Sequence, residues 1–320
     1  MTIYDIAEAA NVSTATVSRY LNGTGYVGRA SAARIEAVIR ESGYKPSGVA
    51  KLLSSGEKLR LVGVVCRDVE DPYYARAVSV IERQLRENGY EIILSCAGET
   101  TAEKKAAVAT LLRKSAEAVI FIGSVFMDGD GAVIRETARH TPCFVINADV
   151  SGDNIYSAYC DDAAAVRACA EAMLAEGRTA LLYLTDVDTY GSRQKLAGFR
   201  AAGGTLTAGV PRDFDGAAAA FPALYRQYRP DGVLCANDTI AAAVLSAARG
   251  LGLSVPGTLA VAGHNNSIVA KCAYPSLTSV DNGVDVLSRT TAENVVALFS
   301  GRPVPRTFRA DFSLIRRQSF

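Results

Sequence analysis

The sequence predicts a small all-α head followed by an α/β body of two doubly wound parallel-sheet lobes. Three observations lead there. The first 45 residues carry helix caps and helical spacing but no alternating strand pattern. From Leu61 onward, short apolar runs without alternation are separated by helical stretches, which is how strands buried on both faces of a parallel sheet read. About ten such units exceed one doubly wound sheet, so the body divides into two lobes.

The head comes first. Thr2 to Asp5 fits the capping box [ST]-x-x-[DE], so a helix is expected to start at the second residue. Ile3, Ile6, Ala7 and Ala10 mark its buried side. Asn11-Val12 breaks it, and Ser13 is a natural N-cap for a second helix, Thr14 to Asn22. A third helix, from about Ser31, buries Ile35, Val38 and Ile39 and stops at Gly43. Two short helices joined by a tight turn and closed by a third make a helix-turn-helix unit.

Gly23, Gly25 and Gly28 match the dinucleotide spacing G-x-G-x-x-G. The context excludes that use, because a helix runs into these glycines where the fingerprint needs a strand before it and a helix after it. Asn22-Gly23 is a helix stop, since glycine takes the left-handed C-cap conformation without a Cβ clash.

The outward face of the second helix offers Thr14, Ala15, Ser18, Arg19 and Asn22. Small side chains at its N-terminal end let the backbone approach base edges, and the planar fork of Arg19 suits guanine O6 and N7 in a major groove. Thr2, Ser13, Thr16 and the first backbone amides suit phosphate oxygens. Each hydroxyl taken singly reads better as a helix cap or a solvated residue; the whole arrangement is what points to DNA. Charge agrees with a polyanion partner: residues 1–60 hold eight Lys and Arg against five Asp and Glu, while the remainder is weakly acidic.

The body's strand-like runs are 61–65, 91–95, 118–123, 143–147, 180–185, 232–236 and 259–263. Helical stretches between them include Tyr73–Asn88, Ala102–Ser115, Asp162–Glu176, Asp238–Leu251 and Val284–Ser300. The expected division is a head of residues 1–45, a hinge of residues 46–60, and a body whose first lobe takes about 61–158 and 283–308 and whose second takes about 159–282 and 309–320. In such sheets ligands sit at the carboxyl ends of the strands, which places a site in the cleft between lobes. The loops that reach it include "RDVEDPYYA", "GSRQKLAGF", "ANDTIA" and "AGHNNS".

The run "TIYDIAEAANVSTATVSRYLNG" resembles the opening of the lactose-repressor (LacI/GalR) family of bacterial transcription regulators, whose pattern is T-[ILM]-x-D-[VI]-A-x-x-A-x-V-S-x-x-T-V-S-R-x-[LIV]-N. The resemblance implies that Thr14, Ala15 and Arg19 read bases. Gly28 and Ala32 depart from the "V-[ST]-x-x-T-R" that follows in the family. "PSGVAKLL" resembles the family's hinge, "P-x-x-V-A-x-x-L". This implies that two copies pair in the minor groove of a near-palindromic double-stranded DNA operator, with Ala50 against the groove and Leu53 wedged between base pairs. Without DNA, a segment so short and weakened by Gly48 is expected to be a linker. A homodimer follows, and the close "LIRRQSF" carries no heptad tail that would imply a tetramer.

The same resemblance extends to the body, which the family shares with periplasmic sugar-binding proteins, and implies a small-molecule effector that is a sugar or sugar derivative. "DPYYA" is similar to the family's "NPFF", which assigns Tyr73 and Tyr74 to the effector. "ANDTIA" assigns Asn237 to effector contact and Asp238 to helix capping. Phe214 aligns with a stacking aromatic. Arg193 and Lys195 are counted as contacts, Lys195 standing where the family has a clamping arginine. Asn265 replaces the family's hydroxyl-binding aspartate in "G-[YF]-D-[DN]", and Asn147 stands where another aspartate is usual. These departures predict a cleft less negative than a usual sugar pocket, and hence an anionic or otherwise atypical effector, such as a sugar phosphate or sugar acid.

Composition excludes other classes. Hydrophobic residues at 49% and charged residues at 21% fit a globular chain. Seven scattered cysteines without a C-x-x-C pair indicate buried thiols in a reducing cytoplasm. The opening "MTIYDIAEAA" lacks the features of a secretory signal, and no apolar run is long enough to span a membrane. No G-x-S-x-G, P-loop or H-E-x-x-H is present, and His140 and His264 lack metal-ligand spacing, so neither enzyme activity, cofactor nor metal is expected. "CDDAA" reads as an N-cap and first-turn acid of the next helix. The alternative is a small-molecule-binding protein whose head makes protein contacts.

Overall fold

The computed structural model describes residues 1–23, 25–44, 60–127 and 129–320. The chain forms two compact units, Met1–Arg60 and Leu61–Phe320. The expected hinge contacts, Ala50 and Leu53, lie outside the described residues.

The first unit holds α1 (Ile3–Ala9), α2 (Thr14–Asn22) and α3 (Arg29–Ser42). Thr2 caps α1 reciprocally: its backbone N–H donates to Asp5 Oδ2 at 2.6 Å, and its hydroxyl accepts from Asp5 N. These bonds hold the Asp5 carboxyl below its ordinary range. Ser13 caps α2 by accepting from Thr16 N at 3.2 Å, and Gly23 ends it with φ +66°. α3 starts at Arg29, ahead of the expected Ser31, with Gly28 as an N-cap that offers no side-chain bond. Ile6, Ala7, Ala10, Val17 and Ile35 form the buried centre.

The second unit begins with β1 (Leu61–Cys66), α4 (Pro72–Glu87), β2 (Glu91–Cys96), α5 (Thr101–Arg113), β3 (Ala118–Ile122), α6 (Ala132–Ala138), β4 (Cys143–Ile146) and β5 (Ile155–Cys160). It continues with α7 (Asp162–Ala175), β6 (Leu181–Thr185), α8 (Tyr190–Ala201), β7 (Leu206–Gly209), α9 (Phe214–Tyr228), β8 (Gly232–Cys235), α10 (Asp238–Gly250), β9 (Ala260–His264), α11 (Ile268–Cys272) and β10 (Thr278–Asp281). It closes with α12 (Val284–Phe299), β11 (Thr307–Ala310) and β12 (Ser313–Ile315).

These strands make two six-stranded sheets of the same design, ordered β11-β5-β4-β3-β1-β2 and β12-β10-β9-β8-β6-β7. The chain passes from the first sheet to the second after β5, returns after β10, and crosses again between β11 and β12. α12 follows β10 yet packs Leu287, Ala292 and Val295 into the core of the first lobe. All pairings are parallel except β10 with β12, which is antiparallel.

Two departures from the sequence reading have clear causes. β5, β7, β10, β11 and β12 are strands beyond the seven apolar runs; each is short, polar in part or half-exposed, so none reads as a continuous apolar run. β2 is not buried on both faces. It is an edge strand with Glu91, Leu94 and Cys96 exposed.

In both sheets the strand order reverses beside the first strand of the lobe, between β1 and β3 and between β6 and β8. At such switch points the adjoining helices leave to opposite faces and open a crevice at the strand carboxyl ends.

Candidate functional site

Two surfaces carry the side chains that the sequence singles out. On the head, Val17 of α2 is fully buried and Leu21 packs on the same core. That turns Thr14, Ala15 and Arg19 to solvent, with Thr16 and Ser18 half-exposed. Ser13 Oγ and Thr16 Oγ1 share a hydrogen bond of 2.9 Å at the helix start. The side chain of Asn22 is outside the described residues.

On the body, a cleft lies at the strand ends of both lobes. The first lobe contributes Arg67 after β1, Ser124 after β3 and Asn147 after β4. The second contributes Asp186 after β6, Asn237 after β8 and Asn265 after β9, with Asp162 at the β5–α7 crossing. Tyr73 and Tyr74 enter from the start of α4, where Asp71 is the N-cap and accepts from Tyr73 N at 2.8 Å, with Pro72 behind it. Their rings meet edge-to-face at 5.7 Å.

The floor of the cleft is a buried polar cluster. Asp162 Oδ1 lies 3.1 Å from His264 Nε2, and both residues are buried. Burial alone would raise the Asp162 carboxyl, but Lys195, His264 and Asn147 outweigh it and hold it below its usual range. Burial, and then Lys195, push His264 below its ordinary value. Lys195 Nζ donates to Ala236 O at 3.0 Å. Two buried oxygens, Tyr73 OH and Asn147 Oδ1, have no hydrogen-bond partner among the described residues. Buried polar atoms are seldom left so, and both belong to residues that line the cleft.

Charge in the cleft is balanced. Arg67 pairs with Asp68 at 3.0 Å and Glu99 at 3.2 Å. Arg212 pairs with Asp71 and lies 3.5 Å from Asp186. Asp71, Asp162 and Asp186 thus stand beside Arg67, Lys195 and Arg212. The expectation of a cleft less negative than a usual sugar pocket counted Asn147 and Asn265; to these the lining adds three aspartates offset by three cations.

Six sequence-predicted contacts line this cleft: Tyr73, Tyr74, Asn147, Lys195, Asn237 and Asn265. Two do not. Arg193 is on the outer side of α8, exposed and paired with Asp188 at 2.7 Å. Phe214 is the first residue of α9 and 42% exposed; the side chain that reaches the cleft from this loop is Arg212. The capping assignment also changes. Asn237 is the N-cap of α10, accepting from Ile240 N at 2.9 Å, which leaves its Nδ2 directed to Asp186. Asp238 instead binds Ser267 N and Ser279 Oγ, each at 2.6 Å. As expected from "CDDAA", Asp161 is the N-cap of α7, accepting from Ala164 N, and Asp162 is its first-turn acid; Asp162 also lines the cleft.

Arg67, Asp71, Ser124, Asp162, Asp186, Thr189, Ser192 and Arg212 were missed. Arg67 and Asp186 directly follow apolar runs, a position that could have flagged them. Arg212 had no such signal, because β7 before it does not read as a strand. Among the described residues no group of His, Cys, Asp or Glu could hold a metal ion, and no helix is long and apolar enough to cross a membrane.

Residues 2–47 match the family of bacterial regulatory proteins of the lacI type, and residues 170–320 match a periplasmic binding protein-like domain. An HTH-type transcriptional regulator of Lachnoclostridium phytofermentans is 32% identical, with 100% of this chain and 99% of that protein covered. The HTH-type transcriptional repressor PurR of Escherichia coli is 27% identical over 99% of this chain and 96% of its own. Among solved structures, the Lac repressor dimer bound to operator and the anti-inducer ONPF superposes with a TM-score of 0.80 at 24% identity, covering 100% of this chain and 98% of that one. A CelR–cellobiose complex gives 0.68 at 22% identity, with both chains fully covered. The chain therefore belongs to the LacI family: it is a transcriptional regulator with a helix-turn-helix DNA-binding head and an effector-binding body of two periplasmic-binding-protein-like lobes.

Proposed function

We propose that this protein is a homodimeric repressor that releases or grips a near-palindromic operator according to a neutral, polyhydroxylated effector, a sugar or sugar derivative, held between its lobes. The head comprises residues 1–45, with Thr14, Ala15, Ser18, Arg19 and Asn22 toward the bases and Thr2, Ser13 and Thr16 toward phosphates. Residues 46–60 act as the hinge, with Ala50 and Leu53 in the minor groove.

The observation that carries the effector reading is the polar content of the cleft. Tyr73 OH and Asn147 Oδ1 lack partners there, beside carboxylates and cations that already neutralise each other. A ligand rich in hydroxyls can donate to and accept from such groups without bringing a charge that must be desolvated. An anionic ligand would have to displace a carboxylate from Arg67 or Arg212. One structural neighbour was solved with cellobiose, and the Lac repressor with the anti-inducer ONPF. The repressor sign is supported by the names of PurR and the Lac repressor.

Selection of bound duplexes from a random pool tests the DNA half, and a palindromic motif that relaxes in Arg19→Ala is expected. Calorimetry tests the effector half. Tight binding to a neutral sugar is expected, and tight binding only to sugar phosphates or sugar acids would overturn it.

A further inference from the structure

One side chain of the cleft ties the lobes to each other. Arg212 lies between β7 and α9 of the second lobe. Its guanidinium pairs with Asp71, the N-cap of α4 in the first lobe, 141 residues away in sequence. It is also 3.5 Å from Asp186 of its own lobe, and it lies over the ring of Tyr74, again of the first lobe, at 5.9 Å from the centroid. The pair is mostly withdrawn from water, with 25% and 15% side-chain exposure for Arg212 and Asp71, so salt screens it little. Desolvation disfavours the buried guanidinium, yet Asp71, Tyr74 and Asp186 together raise its pKa above the ordinary arginine value.

A second close approach supports the same geometry. A Cβ on Gly191 of α8 would lie 2.5 Å from Ser124 Oγ of the first lobe, so the lobes touch where the second presents no side chain. With both contacts made, the cavity lined by Arg67, Lys195 and Arg212 is only ≈ 80 Å³, beside a second cavity of ≈ 840 Å³ that shares Tyr73 and Asn265 with it. Ligand pockets typically run to roughly 300–1,000 Å³. For a sugar ring to lie among Arg67, Lys195 and Arg212 the lobes must part there, and a charged link across that part of the cleft is Arg212 with Asp71.

We propose that Arg212 is a positioning residue of the ligand site: anchored by Asp186 and bound to Asp71 and Tyr74, it holds the lobes together by a charge pair built into the chain. The lobe angle is then set by a residue pair as well as by the effector. Asp71 and Asp186, two acceptors from opposite walls, are kept at a fixed separation for the ligand that enters. This deepens the reading of the cleft as the effector site and rests on it, but its test uses no ligand.

The test is the interlobe distance in the full-length protein. Labels are placed at His140→Cys in the first lobe and Gln227→Cys in the second, both exposed, in a Cys96→Ser, Cys272→Ser background that removes the two exposed native thiols. Labelled chain is mixed with excess unlabelled chain, so that each dimer carries one label pair, and the distance is read by pulsed electron spin resonance. Asp71→Asn keeps the helix cap but removes the charge; Arg212→Gln removes the other partner. Each is expected to move the distribution to longer distances, and the double variant is expected to move it no further than either single. Unchanged distributions, or shifts that add in the double variant, would overturn the proposal. If Arg212→Gln fails to fold, as circular dichroism would reveal, Asp71→Asn alone decides it. A failed clamp would leave calorimetric sugar binding intact, whereas failure of the effector reading would show in calorimetry and not in the distances.

Discussion

The head and the cleft reach their functional surfaces by opposite routes. What the head presents comes from α2 and from the caps of its first two helices, and the bonds that shape these span three residues: Thr2 to Asp5 and Ser13 to Thr16. The cleft is assembled from strand ends scattered along the chain. Asp162 meets His264 across 102 residues, Lys195 meets Ala236 across 41, and Arg212 meets Asp71 across 141. A local surface can be altered one residue at a time with local consequences. A surface gathered by the fold couples each substitution to burial and to distant partners.

The largest expected effect breaks the gathered surface. Asp162→Ala leaves Lys195 and His264 without their shared carboxylate in a buried setting. Burial keeps His264 neutral, so the substitution leaves a buried hydrogen-bond partner unsatisfied; that typically costs ~1–3 kcal/mol, and urea unfolding of the body should show a loss of that order. A loss below ~1 kcal/mol, the scale of exposed pairs, would mean that water reaches this cluster.

Next comes pH, where two aspartates of the second lobe act in opposite directions. Burial pushes the Asp238 carboxyl up to about 6 from 3.8. The folded state then binds this proton more tightly than the unfolded chain, so the stability it contributes is full below about pH 4 and is lost as pH rises through about 6. Asp162 is depressed, so its contribution is present above its unfolded value and is lost as pH falls below that range. Asp238→Asn removes only the first effect. Between pH 4 and 7 the variant should gain on the wild type by up to roughly 3 kcal/mol, and a stability difference that stays flat with pH would contradict the assignment.

The local surface should respond more modestly and without a cost to the fold. Arg19→Ala is expected to weaken binding to the selected operator by ~1–3 kcal/mol while leaving non-specific affinity and helicity nearly unchanged. Fluorescence anisotropy on operator and scrambled duplexes reads both. If operator and scrambled affinities fell equally, Arg19 would be a phosphate contact. Smallest is Ser13→Ala, which removes the cap of α2 and should cost about 1 kcal/mol in head stability, read from thermal melting.

How much was legible in the sequence follows the same division. The bounds of α2 could be read because Ser13 and Gly23 announce them locally, one by a hydroxyl three residues before the amide that donates to it, the other by its left-handed backbone. Tyr73, Tyr74 and Asn237 could be found because each adjoins a helix start after a strand. Phe214 and Arg193 also adjoin helix starts, yet they face outward, because helical phase at a terminus is decided by what the helix packs against. Asp162 was taken for a first-turn acid, and nothing within five residues of it reveals His264.

The sequence by itself determined the helix-turn-helix head, the two-lobed parallel-sheet body and the family to which the chain belongs. These rest on caps, turn glycines and apolar periodicity, whose energetics act within a few residues. Only the tertiary structure decided that the cleft balances three aspartates against three cations, that Asp162 is buried against His264, and that Arg212 joins one lobe to the other. Those facts depend on which strand ends the two sheets bring within hydrogen-bond reach, and a distance in space between residues a hundred apart has no local signature in the chain.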